Sequence, residues 1–131
     1  MGFEFFTESG RGFRPRASIR KQGQIGLNQG AVRRFELQRW GYVVLGFDRE
    51  KQLLALKLTA DRDEPGAQRV VMKDGSATIS ARSFLEYFDI SYREETRQYD
   101  VEFDAAQALL VVSIGGEVEN GEREEQLIDS L

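Results

Sequence analysis

The sequence FDREKQLL at residues 47–54 recurs as FDAAQALL at residues 103–110, an offset of 56 residues. Upstream of each copy, FEL at residues 35–37 recurs as FDI at residues 88–90, an offset of 53 residues. Self-similarity at a nearly fixed spacing is typical of a structural unit that occurs twice in one chain. The sequence therefore predicts two diverged copies of one folding pattern around a common core.

The first copy has the pattern of an extended segment, a short helix and two further strands. Residues 17–27 alternate as an extended segment with a turn at Gly23, and Asn28 is a suitable N-cap for a short helix over residues 31–37. Apolar runs rich in β-forming residues follow at 42–47 and 53–58, and the polar loop between them has hairpin length. These signals predict a β-α-β-β unit.

The second copy repeats this plan. Residues 70–72 and a strand ending near Ile79 flank a turn at 73–75, and Ser80 is the predicted N-cap of the second helix. Four apolar residues recur at helical spacing and predict one buried stripe: Ala81, Phe84, Leu85 and Phe88. Strict alternation over residues 100–104 predicts that Val101 and Phe103 face the core and that the three carboxylates face solvent. Residues 109–114 complete the second hairpin.

These elements define a strand-rich α+β fold with two short helices. We expect residues 17–114 to form one globular domain, in which the pseudo-repeats 17–58 and 70–114 pack as a barrel-like core. A chain of 131 residues with 40% hydrophobic side chains is long and apolar enough for one such core. Residues 1–16 are predicted to form an N-terminal arm, and residues 115–131 a flexible acidic tail.

The composition removes several classes of site. The chain has no cysteine and no histidine, so the ordinary Ser-His-Asp and Cys-His arrangements and nearly all transition-metal sites are excluded. The acidic group Asp61, Asp63 and Glu64 lacks the spacing of a calcium loop and fits a solvated linker. We expect a non-enzyme without cofactor or metal, located in the cytoplasm and not bound to a membrane.

The charge distribution gives the main functional hypothesis. Residues 9–40 contain eight basic side chains and one acid, whereas residues 115–131 contain six acids and one arginine. Clustered arginines and lysines can neutralise phosphates, so we predict a nucleic-acid-binding, transcription-regulator-like module. The predicted contact residues are Arg14, Arg16, Arg20, Lys21, Arg33, Arg34 and Arg39.

The alternative is a structural or protein-interaction module that forms homo-oligomers and binds no nucleic acid. In that case the arginines meet an acidic protein partner or the acidic tail of another copy. Trp40 and Tyr42 leave two interpretations open, since aromatic side chains beside arginines suit base stacking, but their position just past the first helix favours core or helix-flank packing.

The first copy runs from a strand with the sequence Gly-x-Ile-x-Leu at residues 23–27 to a short helix and then to a two-stranded hairpin. This order resembles the swapped-hairpin transcription factors of the AbrB and SpoVT type. The duplicated arrangement is similar to that of the MraZ family of cell-division regulators. The resemblance covers most of residues 17–114. It implies an interlocked β-barrel that binds DNA, usually as a dimer or higher assembly, through basic residues near its strands; the matching positions here are Arg16, Arg20, Lys21, Arg33 and Arg34.

Overall fold

The computed structural model describes Gly2 and residues 14–115. The predicted acidic tail beyond Gly115 and most of the predicted N-terminal arm lie outside these residues. The strands are β1 (Arg16–Ile19), β2 (Gln24–Leu27), β3 (Tyr42–Asp48), β4 (Leu53–Thr59), β5 (Ala67–Arg69), β6 (Val71–Lys73), β7 (Ser76–Ser80), β8 (Arg97–Asp100), β9 (Glu102–Asp104) and β10 (Leu109–Ser113). The helices are α1 (Gln29–Phe35), a 3₁₀ helix (Leu37–Arg39) and α2 (Arg82–Tyr87).

The strands form two five-stranded antiparallel sheets. Sheet I has the order β6-β7-β2-β1-β8, and sheet II has the order β5-β3-β4-β10-β9. This arrangement confirms the predicted strand-rich α+β class. Strands from the predicted first and second copies are neighbours in both sheets, because β2 pairs with β7 and β4 pairs with β10.

The core is built from apolar side chains that alternate along the strands, as expected for sheets with one buried face. Both sheets and both helices contribute to it; among its fully buried members are Ile25, Leu56, Ile79, Leu85 and Leu110. The hairpin of β3 and β4 begins and ends within one residue of its predicted bounds. The apolar runs that predicted this hairpin therefore correspond to its two strands.

The two helix starts differ. Asn28 is the N-cap of α1, as predicted, and its side-chain oxygen accepts a hydrogen bond from the Ala31 N–H at 2.9 Å. The prediction of Ser80 as the N-cap of α2 is wrong. Ser80 is the last residue of β7, where it pairs with Gln24, and Ala81 occupies the N-cap position without a side-chain cap. Strand pairing thus extends through the residue that local sequence assigned to the cap.

The predicted strand over residues 100–104 is interrupted. Val101 separates β8, which pairs in sheet I, from β9, which pairs in sheet II. Val101 is buried as predicted, but Phe103 is 41% exposed. Phe103 remains exposed because β9 is an edge strand, with β10 as its one partner. Its ring instead packs on Phe35 of α1 at a centroid distance of 5.4 Å.

Candidate nucleic-acid interface

The side chains of β1 alternate between the core and the outer face of sheet I. Ala17 and Ile19 are buried, whereas Arg16, Ser18 and Arg20 are partly exposed. Because alternate residues of a strand point to opposite faces, the three polar side chains lie on one outward face. Two of the predicted contact residues, Arg16 and Arg20, are therefore on the same surface.

The register of the other strands extends this outward face across sheet I. Ser18 is paired with Gly26, which is paired with Thr78, and Thr78 is paired with Val71. We call this surface the outward face. By the same alternation it consists of Arg16, Ser18, Arg20, Gln24, Gly26, Val71, Lys73, Ser76, Thr78, Ser80, Gln98 and Asp100. Apart from Val71, it is a polar surface with three cations and one carboxylate.

Arg20 lies across the centre of the outward face. Its Nη1 donates to Thr78 Oγ1 at 3.1 Å and lies 3.4 Å from Gln24 Oε1. The guanidinium covers Gly26 so closely that a Cβ atom at this position would overlap it. Both hydrogen-bond partners are neutral, and no carboxylate among the described residues forms an ion pair with Arg20. The positive charge is thus held in place without being neutralised.

Arg14 and Arg16 are held differently, at the β8 side of the same face. Arg14 Nη2 is 2.9 Å from Asp100 Oδ2, and Arg16 Nε is 3.6 Å from Asp100 Oδ1. Asn28 fixes the backbone here, because it donates to the Arg14 carbonyl at 2.8 Å and accepts from the Arg16 N–H at 3.0 Å. One carboxylate therefore offsets part of the charge of two arginines.

The remaining predicted residues lie on other elements. Lys21 is exposed in the turn between β1 and β2, at the margin of the outward face. Arg33 and Arg34 are exposed on α1, whose opposite side is buried in the core. Arg39, in the 3₁₀ helix, pairs with Glu36 at 3.1 Å. The linear basic segment is thus divided between sheet I and the α1 region.

Sequence reasoning missed the contribution of the second half of the chain. Lys73 is exposed on the outward face, and Thr78 is the residue that receives the Arg20 guanidinium. A signal was present: Ser76, Thr78 and Ser80 alternate with buried Ala77 and Ile79. The pattern could not predict that β7 pairs with β2, because this pairing depends on contacts distant in sequence.

Of the two aromatic residues considered for stacking, Trp40 takes a packing role. Trp40 is partly buried against the core, and the Arg39 guanidinium lies 5.8 Å from its ring centroid. Tyr42 belongs to β3 and pairs with Thr59 and Arg69 in sheet II. Neither side chain is on the outward face of sheet I.

A shallow depression of about 350 Å³ lies beside α2. One of its three acids, Glu86, accepts a hydrogen bond from the Tyr92 hydroxyl at 2.6 Å and also contacts Arg93. The Tyr92 hydrogen bond is the main reason that the pKa of Glu86 is lowered, and it raises the pKa of Tyr92. A carboxylate satisfied in this way serves local structure.

Within residues 14–115, no group of three or more acidic, histidine or cysteine side chains is arranged to hold a metal ion. Across that same range, none of the helices has the length and apolar character needed to cross a membrane. Comparisons of the chain with protein-family models, with curated proteins and with solved structures found no match. The geometry of the outward face is therefore the main indication of function.

Replacing Gly26 by alanine is expected to displace Arg20 while leaving the fold intact. The new methyl group meets the far end of a flexible side chain, which can swing away. We expect the free energy of unfolding to change by less than about 1 kcal/mol, because the loss of the part-buried Arg20 hydrogen bonds is offset by the entropy gained on replacing a strand glycine. Urea denaturation measures this change.

The matched control is Gly46→Ala in β3, where the atom nearest to the new methyl carbon would be 4.0 Å away. Both variants should unfold cooperatively. Only Gly26→Ala should alter the binding of a ligand to the outward face of sheet I. A loss of several kcal/mol in Gly26→Ala would show that the Arg20 side chain is not free to move.

Proposed function

We propose that this chain is a duplicated, interlocked, barrel-like domain that binds nucleic acid without catalysing a reaction, through the outward face of sheet I. The observation that carries the binding proposal is the un-neutralised Arg20 guanidinium, held over Gly26 by Thr78 and Gln24. A cation held by neutral partners keeps its charge available for a phosphate, and the planar guanidinium can donate two parallel hydrogen bonds to it.

The strand registers support the duplication. In β2 and β7, Ile25 pairs with Ile79 and Leu27 pairs with Ala77. If 52 is added to each residue number in β2 and subtracted from each number in β7, each of these pairs becomes the other. In β4 and β10 the same holds for a shift of 56 residues, which exchanges the pair Leu56–Leu110 with the pair Leu54–Val112. Two copies related by an approximate twofold axis produce registers of this kind.

Hydrogen bonds and backbone conformations follow the same offsets. The Ile114 N–H donates to the Gln52 carbonyl and the Leu58 N–H donates to the Ala108 carbonyl, both at 3.0 Å. Gln52 and Ala108 are both left-handed, with φ of 56° and 55°. Each hairpin turn thus receives a hydrogen bond from the other copy, which supports an interlocked rather than a side-by-side arrangement.

The aromatic contacts also cross between copies. Phe35 at the end of α1 packs on Phe103 of β9 at 5.4 Å, and Phe88 after α2 packs on Phe47 of β3 at 5.3 Å. Each helix therefore contacts the hairpin of the other copy. This exchange agrees with the resemblance to swapped-hairpin transcription factors, and it supports the same class of function.

The outward face suits a polyanion better than an apolar partner. Its centre carries Gly26 and hydroxyl side chains, and its cations, Arg16, Arg20 and Lys73, come from strands of both halves. Contacts from serine, threonine and arginine to phosphates position a protein on nucleic acid without reading its sequence. The expected mode is therefore phosphate contact with a strong dependence on salt.

The test is fluorescence anisotropy with labelled single-stranded and duplex DNA at a series of salt concentrations, using the full chain and a chain ending at Gly116. We expect salt-sensitive binding that strengthens when the acidic tail is removed, because like charges repel. Arg20→Gln should weaken binding about tenfold and reduce the slope of log K against log salt by about one.

Arg62→Gln is the matched control for this test. Arg62 is exposed in the loop between β4 and β5, on the sheet II side, and its replacement removes the same charge. If neither chain binds DNA at low salt, or if both variants weaken binding equally, the outward face is not a nucleic-acid interface. The alternative of a homo-oligomeric interaction module would then be favoured.

A further inference from the structure

Each sheet ends in two edge strands, and one of the four differs from the rest. Edge strands present unpaired backbone groups, and proteins usually protect them with charged side chains. The edges β5, β8 and β9 carry polar side chains at Gln68, Arg69, Arg97, Gln98, Asp100, Glu102 and Asp104, and their one exposed large apolar residue, Phe103 of β9 at 41%, packs its ring on Phe35. In β6, by contrast, Val71 is 53% exposed and Met72 is 39% exposed.

The turn after β6 defines which backbone groups face the free side. Asp74 and Gly75 have φ of 54° and 82°, the values of a two-residue type I′ turn. In such a hairpin Lys73 and Ser76 exchange hydrogen bonds, so the N–H and C=O of Met72 point away from β7. Val70, two residues earlier, agrees with this alternation because its N–H donates to the Gly41 carbonyl on the free side.

We infer that β6 pairs antiparallel with β6 of a second copy of this chain, about a twofold axis at Met72. The two Met72 residues then exchange their N–H and C=O hydrogen bonds, and Val71 of each copy lies opposite Lys73 of the other. An isologous contact of this kind requires a self-complementary edge. The N–H and C=O that Met72 directs to the free side meet this requirement.

The charges at the two ends of β6 are complementary under the same operation. Arg69 precedes the strand and Asp74 follows it, and both are exposed. A twofold axis at Met72 brings Asp74 of each copy beside the segment that contains Arg69 of the other. The edge therefore matches itself in hydrogen bonding, in apolar contact and in charge, which favours a second copy over an unrelated strand.

The contact is short, since β6 has three residues. Interfaces below about 1,200 Å² are typical of weak, transient association, so the dimer is expected to be concentration-dependent. Edge pairing continues sheet I from one copy to the next, with both outward faces on the same side. The dimer does not require nucleic acid, and its test is therefore independent of the binding proposal.

Sedimentation velocity between about 10 µM and about 1 mM protein, without nucleic acid, tests the dimer. We expect the full chain to associate, and Met72→Pro to weaken association by about tenfold or more, because proline removes the bridging N–H. Met72→Pro should leave the thermal unfolding midpoint nearly unchanged, since proline is tolerated where an edge N–H faces solvent.

A second pair of variants keeps the test valid even if Met72→Pro does not fold. Val71→Lys places a charge in the edge and should weaken association to a similar extent. Tyr87→Lys adds the same charge at an apolar side chain that is more exposed, at 73%, but lies on α2. A chain that stays monomeric throughout, or association that Tyr87→Lys weakens as much as Val71→Lys, would overturn the edge-pairing proposal.

Discussion

Leu56→Ala and Leu110→Ala are each expected to lower the free energy of unfolding by about 2–5 kcal/mol. Both side chains are 0% exposed, and they are paired across β4 and β10, where the two halves of the chain meet. Truncation removes buried apolar contacts and leaves a cavity that the surrounding strands fill incompletely. Urea denaturation followed by the fluorescence of the single tryptophan, Trp40, measures the change.

Leu109→Ala is the control, because Leu109 is adjacent on β10 but faces outward and is half-buried. Its cost should be clearly smaller. Since Leu56 and Leu110 are neighbours, the double variant should lose less than the sum of the single losses, because the two cavities merge. Equal costs for Leu109 and Leu110, or strict additivity of Leu56 and Leu110, would contradict a core shared by the two halves.

Asn28→Ala is expected to lower the free energy of unfolding by about 2–3 kcal/mol, with contributions from the lost N-cap and from the unsatisfied backbone. The Asn28 side-chain oxygen accepts from the N–H groups of both Ala31 and Arg16, and its nitrogen donates to the Arg14 carbonyl. One side chain therefore joins the start of α1 to the segment that carries two predicted contact arginines.

Asn28→Asp separates the accepted from the donated hydrogen bonds. Aspartate keeps the oxygen that accepts from Ala31 and Arg16 and loses the bond to the exposed Arg14 carbonyl. We expect Asn28→Asp to retain most of the stability that Asn28→Ala loses, as measured by thermal and urea denaturation at neutral pH. If the two variants are equally destabilised, the accepted hydrogen bonds are not the stabilising ones.

The elements of the fold followed from local sequence where one face of a strand or helix is buried. The strands β3 and β4 and the cap at Asn28 agree with prediction because apolar runs and capping side chains act over a few residues. The break at Val70, between β5 of sheet II and β6 of sheet I, and the break at Val101 were not predicted. They depend on which sheet each segment joins, and that is decided by partners distant in sequence: Gly41 accepts a hydrogen bond from the Val70 N–H, and Arg16 pairs with Asp100.

The candidate site was predictable in part. The parity of Arg16 and Arg20 was sufficient to place them on one face of a strand. Sequence could not assign the neutral environment of Arg20, because it depends on Thr78, 58 residues away, and on the absence of a side chain at Gly26. Sequence also could not predict that the basic segment is divided between two surfaces. Arg33 and Arg34 face away from sheet I because the opposite side of α1, with Ala31 and Val32, is buried.

The most direct measurement of the central claim is a ¹H–¹⁵N NMR titration of the full chain with a short DNA duplex and with a single strand of the same length. Binding through the outward face of sheet I predicts that the largest amide shifts occur at Ser18, Gly26 and Thr78, and that they diminish in Arg20→Gln. Shifts confined to sheet II or α2, or no shifts at low salt, would contradict it.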